Sequence, residues 1–286
     1  MIPKSLGLEM VGDFRPISLC NVAYKVASKV LANRLKPIME DIITAYQNAF
    51  IKGHLISDNL IIAHELLHTI KAKKKGRARF ATIKVDLSKA YNRLSWNFLE
   101  AVLQKMGFSQ LWINSIMQCV SIVTYSILIN GAPTENIKPT RGIRQGNPLS
   151  TYLFILCANI LSCMLLDIED KGLIQGITLQ KGEMPISHLF FADDILLFMK
   201  LNKQNPERLK EVLESFCKMS GQKINDSKSV MIVSPNCKSE EREDLRHKFK
   251  IQIKNMIGKY LGIAIDACTK MKDIGNQIID RIQSNL

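Results

Sequence analysis

Leu189-Phe190-Phe191-Ala192-Asp193-Asp194-Ile195-Leu196-Leu197-Phe198 is the stretch on which the reading of this chain turns. Two adjacent carboxylates interrupt an apolar run whose arms are rich in Phe, Leu and Ile, the pattern of two short buried strands joined by a tight turn. Burial and charge conflict here, because an isolated ionised carboxylate in apolar surroundings costs so much that it normally takes up a proton. An Asp-Asp turn facing solvent between ordinary strands avoids the conflict. Divalent cations shared with a third carboxylate also remove it, and the rest of the chain decides between the two.

Upstream, Phe80-Ala-Thr-Ile-Lys-Val-Asp86 reads as a strand that delivers a carboxylate at its end. Between the two, Thr140-Arg-Gly-Ile-Arg-Gln-Gly-Asn-Pro-Leu-Ser150 is a Gly- and Arg-bearing loop opening a long apolar helix over 152–166. Such a loop places backbone N–H groups and guanidiniums where phosphates bind. Apolar spacing predicts a helix over 24–35 with Val26, Val30, Leu31 and Leu35 inward, and another beginning at Asp58 as its cap. Ser95 caps a helix that Gly107 closes, and a second helix runs to about Val120. A strand over 124–129, helices over 206–219 and 238–250, and a strand over 229–233 follow. A final helix starts at Lys270 with Ile274, Ile278, Ile279 and Ile282 on one face. Helices and strands without βαβ alternation predict an α+β fold.

The chain has 286 residues, 47% of them hydrophobic, enough for one large domain or two subdomains. Its formal charge of +13 points to a polyanionic partner. Residues 1–80 hold 13 Lys+Arg against 6 Asp+Glu, and residues 201–286 hold 16 against 11. Residues 81–200 hold 10 against 9, so basic flanks surround a nearly neutral centre that contains the Asp pair. The run Lys71–Arg79 carries six positive charges, as a solvated loop or as a contact to phosphate. Seven cysteines without metal spacing, and a start with no signal peptide, predict an intracellular protein, nuclear or cytoplasmic. Two uncharged runs, 109–134 and 145–166, are long enough for a bilayer, but Asn, Gln, Gly and Pro interrupt both and predict buried elements without a membrane.

A strand-end Asp86, an Arg/Gln/Gly loop before a helix, and an Asp-Asp hairpin together form the inventory of nucleotidyl transfer. Carboxylates from separate strands hold two Mg²⁺ ions about 3.5–4 Å apart, and hard oxygen ligands select Mg²⁺, with Mn²⁺ as a substitute. Seven blocks then carry a resemblance: Asp13-Phe-Arg-Pro-Ile-Ser-Leu-Cys-Asn21, Lys29-Val-Leu-Ala-Asn-Arg-Leu35, Asp86-Leu-Ser-Lys-Ala-Tyr91, Arg141-Gly-Ile-Arg-Gln-Gly146, Phe191-Ala-Asp-Asp194, Gly221-Gln-Lys-Ile-Asn225 and Tyr260-Leu-Gly262. In that order they resemble the reverse transcriptase domain of plant non-LTR (LINE-type) retrotransposons over nearly the whole chain.

The resemblance implies a right-hand polymerase with fingers over 1–80 and a palm over 81–265 built on an antiparallel sheet. It also implies a fingers insertion around 107–150 and the start of a thumb over 266–286. It implies Asp86 and Asp193 as metal ligands with Asp194 beside them, and Tyr91 beneath the deoxyribose, excluding a 2′-OH. Arg144, Gln145 and Gly146 fall in the nucleotide and template pocket, Arg15 toward triphosphate or template, and Tyr260, Leu261 and Gly262 at the primer end. The partners implied are an RNA template, a DNA primer and dNTPs, with thumb and endonuclease portions belonging to a larger retroelement protein. Asn92, Asn147, Ser150-Thr151 and His54 depart from the family pattern. A truncated, non-catalytic nucleic-acid-binding relic of the same fold is the alternative. A group II intron maturase shares the hairpin, but the blocks at 13–35 fit the LINE pattern better.

Overall fold

The computed structural model describes residues 20–129, 131–180 and 182–265, the strands Ile2–Pro3 and Phe14–Arg15, and positions 275, 279 and 283. In chain order the elements are β1 (Ile2–Pro3), β2 (Phe14–Arg15), α1 (Val22–Leu35), a 3₁₀ turn (Lys36–Ile38), α2 (Met39–Ile42), α3 (Ile56–Ala72), β3 (Arg79–Val85), α4 (Ala90–Arg93), α5 (Trp96–Lys105) and α6 (Gln110–Ser121). There follow β4 (Leu128–Ile129), β5 (Ala132–Pro133), α7 (Pro148–Asp170), β6 (His188–Phe191), β7 (Asp194–Leu201), α8 (Asn205–Ser220), β8 (Val230–Val233), α9 (Ser239–Phe249), β9 (Gln252–Ile253), β10 (Lys259–Tyr260) and β11 (Ile263–Ala264). They form two compact units, residues 1–42 with 89–157 and 219–222, and residues 43–88 with 158–218 and 223–286.

The second unit holds a five-stranded sheet in the order β6-β7-β3-β8-β9. β3 is its axis, antiparallel to β7 from Arg79↔Leu201 to Val85↔Ile195 and to β8 from Ala81↔Val233 to Lys84↔Val230. Alternation along β3 sends Ala81, Ile83 and Val85 to one face and Phe80, Thr82 and Lys84 to the other. β7 is buried from Ile195 through Met199 without alternation, as a strand covered on both faces must be. α3 presents Leu60, Ala63, Leu67 and Ile70 at helical spacing to a core that includes Leu189, Leu196, Phe198, Ile232 and Tyr260.

Several sequence expectations shift. On α1, Leu35 is buried as expected and Leu31 half-buried, whereas Val26 and Val30 are exposed and Ser28 and Ala32 are buried in their place. Small residues let the helix sit close to its neighbours, and that close-packed stripe outcompetes the more apolar valine stripe. Asp58 does not cap α3; Leu55 holds that position and Asp58 lies in the first turn, where its charge still complements the helix dipole. The strand predicted over 124–129 shrinks to Leu128–Ile129 with a single bridge from Tyr125 to Ile137. α7 begins four residues early, at Pro148; it is long and apolar enough to cross a membrane, but 67% of its apolar window is buried inside the protein. Ser95 caps α5 as expected, accepting from the Phe98 N–H at 3.4 Å. α9 is amphipathic, with Leu245 and Phe249 buried. The face of Ile274, Ile278 and Ile282 lies outside the described residues.

His188, on β6, is fully buried. Its Nε2 lies 2.6 Å from Ser162 Oγ and its Nδ1 3.0 Å from Ser187 Oγ. Burial keeps the ring neutral and pushes its pKa down from 6.5 to about 3. In that window the unfolded chain binds a proton that the folded chain refuses. This contribution to stability is therefore intact above the unfolded value and falls as pH drops through it. Going from neutral pH to pH 5 costs roughly 2 kcal/mol through this residue, and His188→Gln removes that part of the acid slope. Denaturant midpoints at the two pH values measure it, and equal slopes in the two proteins would contradict the assignment.

Candidate active site

The hairpin Phe191-Ala192-Asp193-Asp194 closes in the tightest way available. Phe191 pairs with Asp194, leaving Ala192 and Asp193 as a two-residue loop. Ala192 takes a left-handed φ of 54°, a conformation that costs a non-glycine residue about 1–2 kcal/mol. Neighbouring backbone holds it in place: the Phe190 N–H donates to the Tyr46 carbonyl at 2.8 Å and the Asn48 N–H to the Phe190 carbonyl at 3.1 Å. The Ala192 N–H donates to Gln47 Oε1 at 3.0 Å.

Asp86 follows directly on Val85, whose partner is Ile195, so continuing the register sets Asp86 opposite Asp194. Its backbone is fixed on both sides, its N–H donating to Ser229 Oγ at 3.0 Å and its carbonyl accepting from the Asn225 N–H at 2.8 Å. The twofold period of the strand puts Lys84 and Asp86 on one face with Asp194. Burial raises the Asp194 carboxyl above its ordinary value, and the charges of Asp193 and Asp86 add to the rise while Lys84 opposes it. Asp86 and Asp194 are half-buried and Asp193 is exposed at the tip. The Lys84 ammonium donates to the Lys259 carbonyl.

These three carboxylates are the donor set that a hard divalent cation takes. Among the described residues no three His, Cys, Asp or Glu side chains converge as a ready-made metal cluster. Continuing the backbone register sets Asp86 opposite Asp194, and the hairpin loop places Asp193 next to Asp194.

The β10–β11 turn belongs to the same unit. Tyr260 pairs with Ile263, and both loop residues are left-handed, Leu261 at φ 51° and Gly262 at φ 81°. Gly262 accepts this freely, while Leu261 is buried in the core, which offsets its strain. The Tyr260 hydroxyl is buried and accepts from Asn59 Nδ2 at 3.2 Å. Burial raises its pKa, and the charge of Asp194 adds to that, placing this turn within the field of Asp194.

In the first unit, Tyr91 sits on α4, stacked on Phe154 with centroids 4.9 Å apart and planes 13° apart. Its turn is clamped from two sides. The Ile143 N–H donates to the Tyr91 carbonyl at 2.8 Å and the Gly142 N–H to the Leu94 carbonyl at 2.7 Å. Gln222 Nε2 donates to the Ala90 carbonyl at 2.8 Å. Arg144 stands 4.1 Å over the Tyr24 ring, 5.7 Å from that of Tyr125, and donates to Cys20 Sγ at 3.2 Å, so its guanidinium is engaged in an aromatic clamp. Gln145 is half-buried and Gly146 exposed, with φ 91°. Asn147, a departure from the family pattern, is buried: its Oδ1 accepts from the Leu149 N–H at 3.0 Å and its Nδ2 donates to the Tyr24 hydroxyl at 2.8 Å, which an Asp cannot do. Arg15 lies in β2, paired with Ile2, and its side chain is outside the described residues.

Sequence reasoning missed Gln47, Asn59, Tyr24 and Phe154. Asn59 carried a signal, as the one amide among the apolar positions of the α3 stripe.

A strand-end carboxylate thus stands beside an Asp-Asp hairpin on a sheet that is antiparallel except for its last pair, β8 with β9. Over residues 2–265 the sequence matches the family described as reverse transcriptase (RNA-dependent DNA polymerase), and the chain belongs to it. It is 28% identical over 268 residues to a transposon TX1 uncharacterized 149 kDa protein of Xenopus laevis, covering 93% of this chain and 20% of that protein. It is 30% identical over 234 residues to the retrovirus-related Pol polyprotein from type-1 retrotransposable element R2 of Popillia japonica, covering 81% of this chain and 31% of that one. The chain thus spans between a fifth and a third of these relatives. An uncharacterized mitochondrial protein of Arabidopsis thaliana is 48% identical over 67 residues, 23% of this chain and 55% of that protein. In structure, apo telomerase from Candida tropicalis truncated from its C-terminal domain superposes with a TM-score of 0.51 at 18% identity, over 75% of this chain and 41% of that one. The mixed helix-and-sheet fold is that of polymerase fingers and palm, as the sequence predicted.

Proposed function

We propose that this chain is the RNA-directed DNA polymerase domain of a plant LINE-type retroelement, extending a DNA primer on an RNA template with dNTPs inside the cell, in the nucleus or cytoplasm. The observation that carries the reading is the register that sets Asp86 opposite Asp194 at the end of neighbouring strands. In this reading residues 1–80 act as fingers, with an insertion around 107–150, and residues 81–265 act as palm, in a chain that spans a fifth to a third of its retroelement relatives. Mg²⁺, or Mn²⁺ in its place, supplies charge neutralisation at the attacking and leaving oxygens when bound. Asp86, Asp193 and Asp194 are the residues that hold it. Their fixed backbone keeps the geometry from relaxing as charge develops. Gln145 and Gly146 line the nucleotide and template pocket, and Tyr260, Leu261 and Gly262 support the primer end. The test is extension of oligo(dT) on poly(rA) with dTTP and Mg²⁺, where template-dependent products that vanish with EDTA are expected. Retention of the duplex with no extension supports the non-catalytic relic instead.

Two further outcomes follow from this reading. Tyr91→Ala, or Phe154→Ala behind it, loosens the wall beneath the sugar, and discrimination against ribonucleotides falls by about 10–200-fold, the usual worth of a shape contact. Single-nucleotide incorporation with dTTP and UTP measures it. Binding to the primer–template loosens steeply between low and physiological salt, because each phosphate contact releases counterions. A flat dependence of log affinity on log salt would contradict the phosphate contacts inferred from the +13 charge.

A further inference from the structure

We propose that Gln47 is a positioning residue for the Asp193-Asp194 turn, a role that rests on the polymerase reading above. Its side chain is completely buried. Oε1 accepts from two backbone donors, the Ala49 N–H and the Ala192 N–H, each at 3.0 Å. Two N–H donors on one atom fix which end of the amide is oxygen. The other end, Nε2, is then left buried without a hydrogen-bond partner. An unsatisfied buried donor is unfavourable, and a methionine would fill the same space without it, so the amide's worth at this position lies in its acceptor.

What the acceptor holds is the strained residue of the site. Ala192 is the left-handed corner of a two-residue loop that sets Asp193 next to Asp194, and both the strain and the like charges favour opening. Gln47 sets its backbone alongside Phe190 as a parallel bridge and reaches past it to the Ala192 N–H. The brace continues beyond the hairpin: Asn59 Nδ2 donates to the Phe190 carbonyl at 3.0 Å and to the Tyr260 hydroxyl at 3.2 Å. The Asn48 side chain in turn donates to Asn59 Oδ1. One buried polar chain therefore ties the carboxylate turn to the turn that carries Tyr260, and Gln47 is its contact with the loop itself.

The test is single-residue amide hydrogen exchange on the metal-free 286-residue chain at pH 5, comparing wild type, Gln47→Met and Gln47→Glu. Gln47→Met exchanges the Ala192 amide at least about tenfold faster, with the amides of β3 unchanged. Gln47→Glu keeps an acceptor oxygen in the same place; it stays within about threefold of wild type, including in the case where the Met variant does not fold. In primer extension the Gln47→Met variant lowers kcat about tenfold at unchanged KM for dTTP. Unchanged exchange at Ala192, a uniform rise across β3, an unfolded or fast-exchanging Gln47→Glu, or a change in KM alone would each overturn the proposal. Exchange is read without metal or substrate, so the brace stands or falls separately from the polymerase reading, which extension by the wild-type chain tests.

Discussion

Asp86→Asn and Asp194→Asn will each lower nucleotide incorporation by about 10³-fold, since removing a ligand of a two-metal centre forfeits several kcal/mol of barrier lowering. Neither change will unfold the chain. Asn is isosteric with Asp and neutral, and at position 194 neutrality is what the folded state prefers. Burial, then Asp193, then Asp86 raise that carboxyl above its ordinary value. The folded chain therefore binds the proton more tightly than the unfolded one. This residue's contribution to stability is greatest below the ordinary carboxylate range and declines as pH rises toward the raised value. At pH 7 without cation, Asp194→Asn melts at or above the wild-type temperature, and the gain that Mg²⁺ gives the wild type by mass action shrinks in the variant. Loss of incorporation accompanied by a lower melting temperature would mean a fold defect. Undiminished incorporation would remove these residues from the chemistry.

The second large effect is at Gly142, in the loop that clamps the Tyr91 turn. A Cβ there would lie 2.7 Å from the Asn92 carbonyl oxygen and 3.0 Å from its carbon, and the residue is left-handed with φ +89°. Backbone cannot yield as a flexible side chain does, so Gly142→Ala combines conformational strain with overlap and costs about 3 kcal/mol. Gly146 has a similar φ of +91° but open space around it, and Gly146→Ala costs only about 1–2 kcal/mol. Denaturant unfolding of both variants separates the two contributions. Equal losses would mean that the close approach to Asn92 is unimportant.

The sheet and the carboxylates were legible because short apolar runs mark the strands and an Asp stands where each run breaks, Asp86 after β3 and the Asp pair within the hairpin. Once β3 and the hairpin were recognised as strands, the positions of Asp86 and Asp194 followed from where each strand ends. Residues whose roles depend on a partner distant in sequence were not legible in this way. Gln47 lies in a polar loop and touches Ala192, 145 positions away, and no local pattern announces that pairing. Arg144 has the chemistry of a phosphate ligand and sits in a loop suited to one, but its guanidinium stacks on Tyr24, 4.1 Å from the ring centroid. Residue type indicated what Arg144 can bind and left open which way the side chain turns. On α1, hydrophobicity favoured Val26 and Val30, whereas Ser28 and Ala32 are the buried positions because their size permits close approach. Asn147 shows the reverse case, a departure from the family pattern that is explained by the Tyr24 hydroxyl it donates to.

The most direct test of the central claim, that Asp86 and the Asp193-Asp194 hairpin form a metal-holding centre for nucleotidyl transfer, is anomalous X-ray scattering from crystals soaked in Mn²⁺ and a dNTP. The account predicts an anomalous peak bracketed by the Asp86 and Asp194 carboxylates that is lost in Asp194→Asn. A wild-type crystal with bound dNTP and no peak between those carboxylates, or a peak that survives Asp194→Asn undiminished, would contradict it.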